Sequence, residues 1–136
     1  MEWLSVRQII SDEEIEQLEV ELKIKLPKDY KRMIGKINGG ALKNAYIKHA
    51  TMDEIAYDRN VSLKREAKTN VYILIPIINE KEIKYFPFGS VGNGDYFCFD
   101  LDKNQVVLYI HELQIFKYVC DTFEQLLSMI ISDDDN

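Results

Sequence analysis

Apolar residues recur along the chain with several distinct periods, and those periods predict its elements. From Ser11 the pattern is helical: Ile15, Leu18 and Leu22 form one stripe, and acids fill the other positions. Ser11 with Glu14 three residues on has the spacing of a capping box, in which each side chain satisfies a backbone donor of the other. A second helix is predicted over Leu26–Gly40. Tyr30, Met33, Ile34 and Ile37 line up on one face. Pro27 is expected at the first helical position, where its missing N–H costs nothing. Asn38-Gly39-Gly40 supplies residues that accept a left-handed C-cap.

Beyond Gly40 the pattern weakens. Ala45–His49 reads as a strand, and Thr51 with Glu54 offers another capping box, so residues 52–68 are expected to hold a helix or two irregular turns. Val71–Ile78 is a continuous apolar run rich in β-branched residues. It predicts a strand covered on both faces, with Pro76 near an end, an edge or a bulge. Three more strands follow, over Ile83–Phe88, Asp95–Leu101 and Val106–His111, joined by short polar turns that favour antiparallel neighbours. In the second of these, Phe97, Phe99 and Leu101 alternate with Tyr96, Cys98 and Asp100, and the Phe side is expected to face the core. A last helix opens at Thr122, with Gln125 completing its cap and Phe123, Leu126, Leu127 and Ile130 pointing inward. The acids that follow lie at the unfavourable end of its dipole, so residues 133–136 are expected to be a disordered acidic tail. The order of elements gives an α+β fold: an antiparallel sheet of four to six strands, with two N-terminal helices and one C-terminal helix packed on it, in a single domain over residues 1–132.

Length and charge narrow the function. The chain has 136 residues, enough for one sizeable core, and a formal net charge of −6. That charge argues against direct nucleic-acid binding, which depends on neutralising phosphates. Charge is also segregated. Residues 12–22 carry six acids and no base, whereas residues 23–36 carry six bases and one acid, so two crossed helices would attract along their edges. Glu19 stands apart from the other acids, at the edge of the apolar stripe, where a half-buried carboxylate needs a cation or a donor. It is read as a structural tie.

Candidate chemistry is sparse. Cys98 and Cys120 have neither zinc nor redox spacing and read as reduced thiols. His49 and His111 lie in no nucleophile–base pattern and are assigned packing or surface roles. Asp100-Leu101-Asp102-Lys103-Asn104 imitates the start of a calcium loop, but Gln105 and His111 stand where Gly and Glu are required, so it reads as a β-turn. Gly89–Gly94 joins two strands and lacks the helix that a phosphate cradle needs. No catalytic residue, metal site or cofactor is expected. The start of the chain has no signal-peptide pattern and no apolar run is long enough to span a bilayer, so a cytoplasmic protein without a membrane partner is expected.

Ile15-x-x-Leu18-Glu19-x-x-Leu22, Leu26-Pro27-x-x-Tyr30 and Asn38-Gly39-Gly40 together resemble the N-terminal signature of the SUKH superfamily, which includes a fungal cell-wall-assembly regulator domain and many bacterial immunity proteins. Pro87-Phe88-Gly89, Gly94–Asp100, Val106–Tyr109 and Thr122–Leu127 are similar to its second half; residues 43–82 find no counterpart. The resemblance implies a structural motif of Glu19, Leu26, Pro27, Tyr30, Asn38, Gly39, Gly40 and Gly94. It also implies a non-enzymatic immunity protein that binds a cognate bacterial toxin, often a nuclease or deaminase, and occludes its active site or substrate groove. Asp95, Tyr96, Asp100, Asp102 and Glu112 are the expected partner-binding residues. The alternative is a regulatory or scaffold module that binds a protein other than a toxin.

Overall fold

The computed structural model describes residues 1–6 and 9–132. Residues 133–136, the expected tail, lie outside the described residues. Among the described residues the architecture is α+β, with four helices and two antiparallel sheets.

Helix α1 spans Asp12–Leu22 and opens on the capping box: Ser11 Oγ accepts from the Glu14 N–H, and the Glu14 carboxylate accepts from the Ser11 N–H, both at 3.2 Å. Lys23, at φ 57°, ends it. Helix α2 spans Lys28–Ile37, shorter than Leu26–Gly40. Pro27 is its N-cap at ψ 141°, one position before the expected place, and Asn38 leaves the helix in an extended conformation. Asn38 is fully buried. Its side chain accepts from Leu63 N–H at 2.8 Å and donates to Ser62 Oγ at 3.2 Å, fastening the helix end to the following loop.

The main sheet has the order β3-β4-β5-β6-β7, formed by Arg59–Asn60, Tyr85–Ser90, Tyr96–Asp100, Gln105–Ile110 and Ile115–Cys120. Phe86, Phe99 and Val106 lie opposite one another across three strands, and Phe97 lies opposite Leu108. This inner face meets α2 and helix α4 (Phe123–Met129). Tyr30 is its centre, with ring centroids 5.0 Å from Phe99 and 5.3 Å from Phe123. The β4–β5 ladder shifts register between Pro87 and Gly89, a bulge that accommodates a proline without an N–H to donate. Cys98 is as buried as its Phe neighbours, so both faces of β5 are covered.

Helix α3 is the largest departure from expectation. Val71–Ile78 is a helix and not a strand. Asn70 caps it by accepting the Ile73 N–H at 3.1 Å, and Asn79 closes it by donating to the Ile75 carbonyl. Val71, Leu74, Ile75 and Ile78 are buried, a helical i, i+3, i+4, i+7 stripe concealed in the sequence because the remaining positions are apolar too. Pro76 falls in the second half of this short helix, where its missing N–H removes one turn bond. The helix covers the outer face of the main sheet beside β4.

Residues 52–68 contain strands and turns but no helix. β2 is Met52–Ala56, and β3 follows after two residues. The Thr51–Glu54 capping box does not form; Thr51 N–H donates instead to His49 Nδ1 at 3.2 Å. A second sheet, β2-β1-β8, joins β2 to β1 (Ala45–His49) and β8 (Ile130–Ser132). Ile130 thus leaves α4 and pairs with Ile47 as a strand.

Candidate functional site

The second sheet is held against the first by short-range chemistry at both ends of β2. At the start, the β1–β2 turn is anchored by His49, whose Nε2 lies 3.0 Å from the Val119 carbonyl on β7. Beyond β2, the chain crosses to the main sheet. Tyr57 N–H donates to the Ala45 carbonyl, and the next residue, Asp58, donates to the Ser90 carbonyl. Tyr57 is buried with its ring stacked on Phe97 at 5.5 Å, and its hydroxyl donates to Asn60 Oδ1 at 2.7 Å. Gly89 makes this crossing possible: a Cβ there would lie 2.7 Å from the Tyr57 ring. Burial pushes the Tyr57 phenol far above its usual range.

Between the two sheets lies an open cleft of about 970 Å³. One wall is residues 50–56. The other is the β4–β5 turn with Val91, Gly92, Asn93 and Asp95, and Leu108, Ile110 and Lys117 complete the lining from β6 and β7. The lining holds three acids, Asp53, Glu54 and Asp95, and a single base, Lys117. The open edge is chemically competent as well. Ile47 and Ile55 are opposed, and Tyr57 bonds to Ala45, so the antiparallel alternation directs the main-chain N–H and C=O of Glu54 and Ala56 away from β1. β2 is an edge strand with acidic side chains and main-chain groups directed outward.

Asp95 belongs to the cleft and also to its own turn. Its Oδ1 accepts from the His111 N–H at 3.1 Å and lies 2.5 Å from His111 Nδ1. The His111 ring packs on Gly94, where a Cβ would lie 3.1 Å from the ring and a φ of +98° would strain any side chain. Glu112 is exposed in the same β6–β7 turn. The other expected binding residues are elsewhere. Tyr96 lies opposite Tyr109, on the outer face of the sheet. Asp100 is at the far end of β5, about 16 Å from Asp95 at strand rise. It is 6% exposed, and its Oδ1 accepts the Asp102 and Lys103 N–H groups at 3.1 and 3.0 Å. Asp100 therefore holds a turn from inside, whereas Asp102 beside it is exposed. The five residues do not make one face. Reversing Asp95 and Asp100 together would break two turns and would not probe a single surface.

The sequence does not single out Asp53 and Glu54, because the helix or turns expected over residues 52–68 put no acid on a sheet edge. The available signal is the alternation of Ile55 and Tyr57, both buried, with Glu54 and Ala56, both exposed. The motif residues serve the fold. Glu19 accepts from Leu26 N–H at 2.8 Å, Gly40 accepts from Asn60 N–H through its carbonyl at 2.8 Å, and Tyr30 fills the core. Among the described residues no group of three or more His, Cys, Asp and Glu side chains could hold a metal ion, and no helix is long and apolar enough to cross a membrane.

No curated protein matches the chain. The family SUKH_6, described as SMI1-KNR4 cell-wall, matches residues 12–127, from the first residue of α1 to within α4. With that match spanning nearly all of both sheets and three complete helices, the chain belongs to the SUKH superfamily, in its SMI1-KNR4 family.

Proposed function

We propose that this chain is an immunity protein that binds a cognate toxin in the cytoplasm and neutralises it by occlusion, without catalysis of its own. The observation that carries this reading is the inter-sheet cleft, whose lining has Asp53, Glu54 and Asp95 against one lysine in number, beside the outward-facing main chain of β2. A toxin that acts on nucleic acid needs a basic substrate groove. An extended basic segment from the rim of such a groove matches the cleft twice: its lysines and arginines meet the acids, and its backbone adds a strand to β2. Complementary charge of this kind speeds encounter and rejects wrong partners. SUKH membership is compatible with such a protein partner.

The test is co-expression with a candidate toxin encoded by a neighbouring gene. Cells carrying both should grow, and the two proteins should co-purify. The paired substitution Asp53→Lys, Glu54→Lys should abolish protection while leaving the circular dichroism spectrum unchanged. Continued killing by the toxin with no co-purification of the wild-type pair would show that the chain is not its immunity protein. Co-purification that survives the paired substitution would move the contact to another face.

A further inference from the structure

α3 consists of Val71-Tyr72-Ile73-Leu74-Ile75-Pro76-Ile77-Ile78 and has no polar face. A helix of that kind is ordinarily covered on all sides. Here one side rests on the sheet, while Ile73 and Ile77 stand 50% and 65% exposed, one turn apart, as a ridge. Beside the ridge runs a groove of about 660 Å³ whose apolar lining includes Tyr85, Tyr109 and Phe116. The sheet curls to make it. Tyr85 on β4 and Phe116 on β7 stack at 3.7 Å with their planes 9° apart, although two strands lie between them. Ile77 belongs to both the ridge and the groove. The rim carries Glu80, Lys81, Glu82 and Lys84, so its charge cancels.

We propose that this face joins two copies of the chain in a two-fold dimer, the Ile73–Ile77 ridge of each seated in the aromatic groove of the other. A two-fold contact needs one patch that carries both the projection and its recess, and this patch does. Charge selects the same occupant. Two copies of a chain with net charge −6 repel across most of their surfaces, and they can approach where local charge is balanced. In a two-fold arrangement Glu80 and Glu82 of one copy meet Lys81 and Lys84 of the other. The acidic cleft is left free, because Leu108 and Ile110 line it from the face of β6 opposite to Tyr109. The dimer would therefore present two clefts.

Sedimentation equilibrium of the full chain, from micromolar to sub-millimolar concentration, tests this. The wild type should be a dimer. Ile77→Asp and, separately, Ile73→Asp should give monomers with unchanged circular dichroism and melting temperature. The pair Lys81→Glu, Lys84→Glu should weaken the dimer by about tenfold or more, and adding Glu80→Lys, Glu82→Lys should restore it, since each rim meets its own copy. A wild type that stays monomeric throughout the range overturns the proposal, as does an Ile77→Asp dimer as tight as the wild type, or a fourfold reversal that fails to recover. A monomeric chain that loses its toxin when Ile77 becomes Asp would assign the face to the toxin and not to a second copy.

Discussion

The Glu19 carboxylate accepts the backbone N–H of Leu26 at 2.8 Å while both of its oxygens lie 3.3 Å from Lys31 Nζ. One side chain thus closes the connector between α1 and α2 and ties it to the first turns of α2. Glu19 is only 13% exposed, so truncating it leaves the Leu26 N–H without its acceptor in a poorly solvated place. Glu19→Ala should lower stability by about 1–3 kcal/mol. Glu19→Gln should lower it less, because the amide oxygen can still accept from Leu26. Urea unfolding would show the loss as a lower midpoint at an unchanged slope. An alanine variant within about 0.5 kcal/mol of wild type would mean that the carboxylate contributes nothing beyond an exposed side chain.

Two sets of acids should separate cleanly. Asp100 is buried and accepts two backbone N–H groups, so Asp100→Ala should cost about 1–3 kcal/mol, whatever the partner. Asp53 and Glu54 are exposed on an edge strand, so Asp53→Lys with Glu54→Lys should change stability by no more than about 0.5 kcal/mol each. The same pair should slow association with a basic partner, and added salt should slow wild-type association likewise. Stopped-flow association rates across a salt series, set beside melting curves, would distinguish the two sets.

What could be read from the chain was what neighbouring residues decide. Ser11 with Glu14, and Thr122 accepting from Gln125 N–H at 3.0 Å, are caps made within one turn, and the sequence places both. The hairpins from Tyr85 to Ile110 were legible because their turns are short and polar. Val71–Ile78 is not legible as a helix because its period is masked when every position is apolar. The deciding residues were Asn70, which caps, and Asn79, whose amide donates to both Ile75 and Tyr85 carbonyls and so turns α3 into β4. The site was less legible than the fold. Asp95, expected from the sequence to bind a partner, lines the cleft. Asp53 and Glu54 line the same cleft because the chain crosses between the sheets at Tyr57, just after β2, a crossing permitted by the bare backbone of Gly89.

That contact makes Gly89→Ala informative. The added methyl would sit 2.7 Å from both Cε2 and the hydroxyl of Tyr57. The ring cannot withdraw freely, being buried, stacked on Phe97 and bonded to Asn60. Overpacking of this kind costs about 1–3 kcal/mol. Because Tyr57 adjoins β2, hydrogen exchange should rise in β2 before it rises in β5 and β6. Uniform exchange across both sheets would mean that the crossing is not a separable hinge.

The two thiols should be silent in the folded protein. Cys98 and Cys120 are free and buried, and burial pushes the Cys120 thiol up to about 11 and the Cys98 thiol higher still. Near pH 8 almost no thiolate exists at either, and the thiolate is the reactive form. Native protein should give no colour with a disulfide reagent, and unfolded protein should titrate two thiols. Fast modification of Cys120 alone would show that β7 opens locally.

Tyr30 and Tyr57 are both fully buried phenols with opposite hydrogen-bonding, and replacing each by Phe should have opposite results. The Tyr57 hydroxyl donates to Asn60 Oδ1 at 2.7 Å, whereas among the described residues none pairs with the Tyr30 hydroxyl. Tyr57→Phe leaves Asn60 short of a donor and should cost about 1 kcal/mol. Tyr30→Phe removes an orphaned polar atom from a cluster of Phe86, Phe88, Phe99 and Phe123, and should leave stability equal or higher. Alkaline titration supplies a second reading. Burial raises both phenols above the ordinary value near 10, so the stabilisation is complete below that pH. It declines as pH rises towards the folded-state values, because the unfolded chain releases those protons first. Absorbance at the tyrosinate band should therefore show a fraction that ionises only together with loss of far-ultraviolet dichroism. In Tyr30→Phe that cooperative fraction should shrink and the alkaline transition move up. A transition unmoved by Tyr30→Phe would show that ionisation at this position does not drive alkaline unfolding.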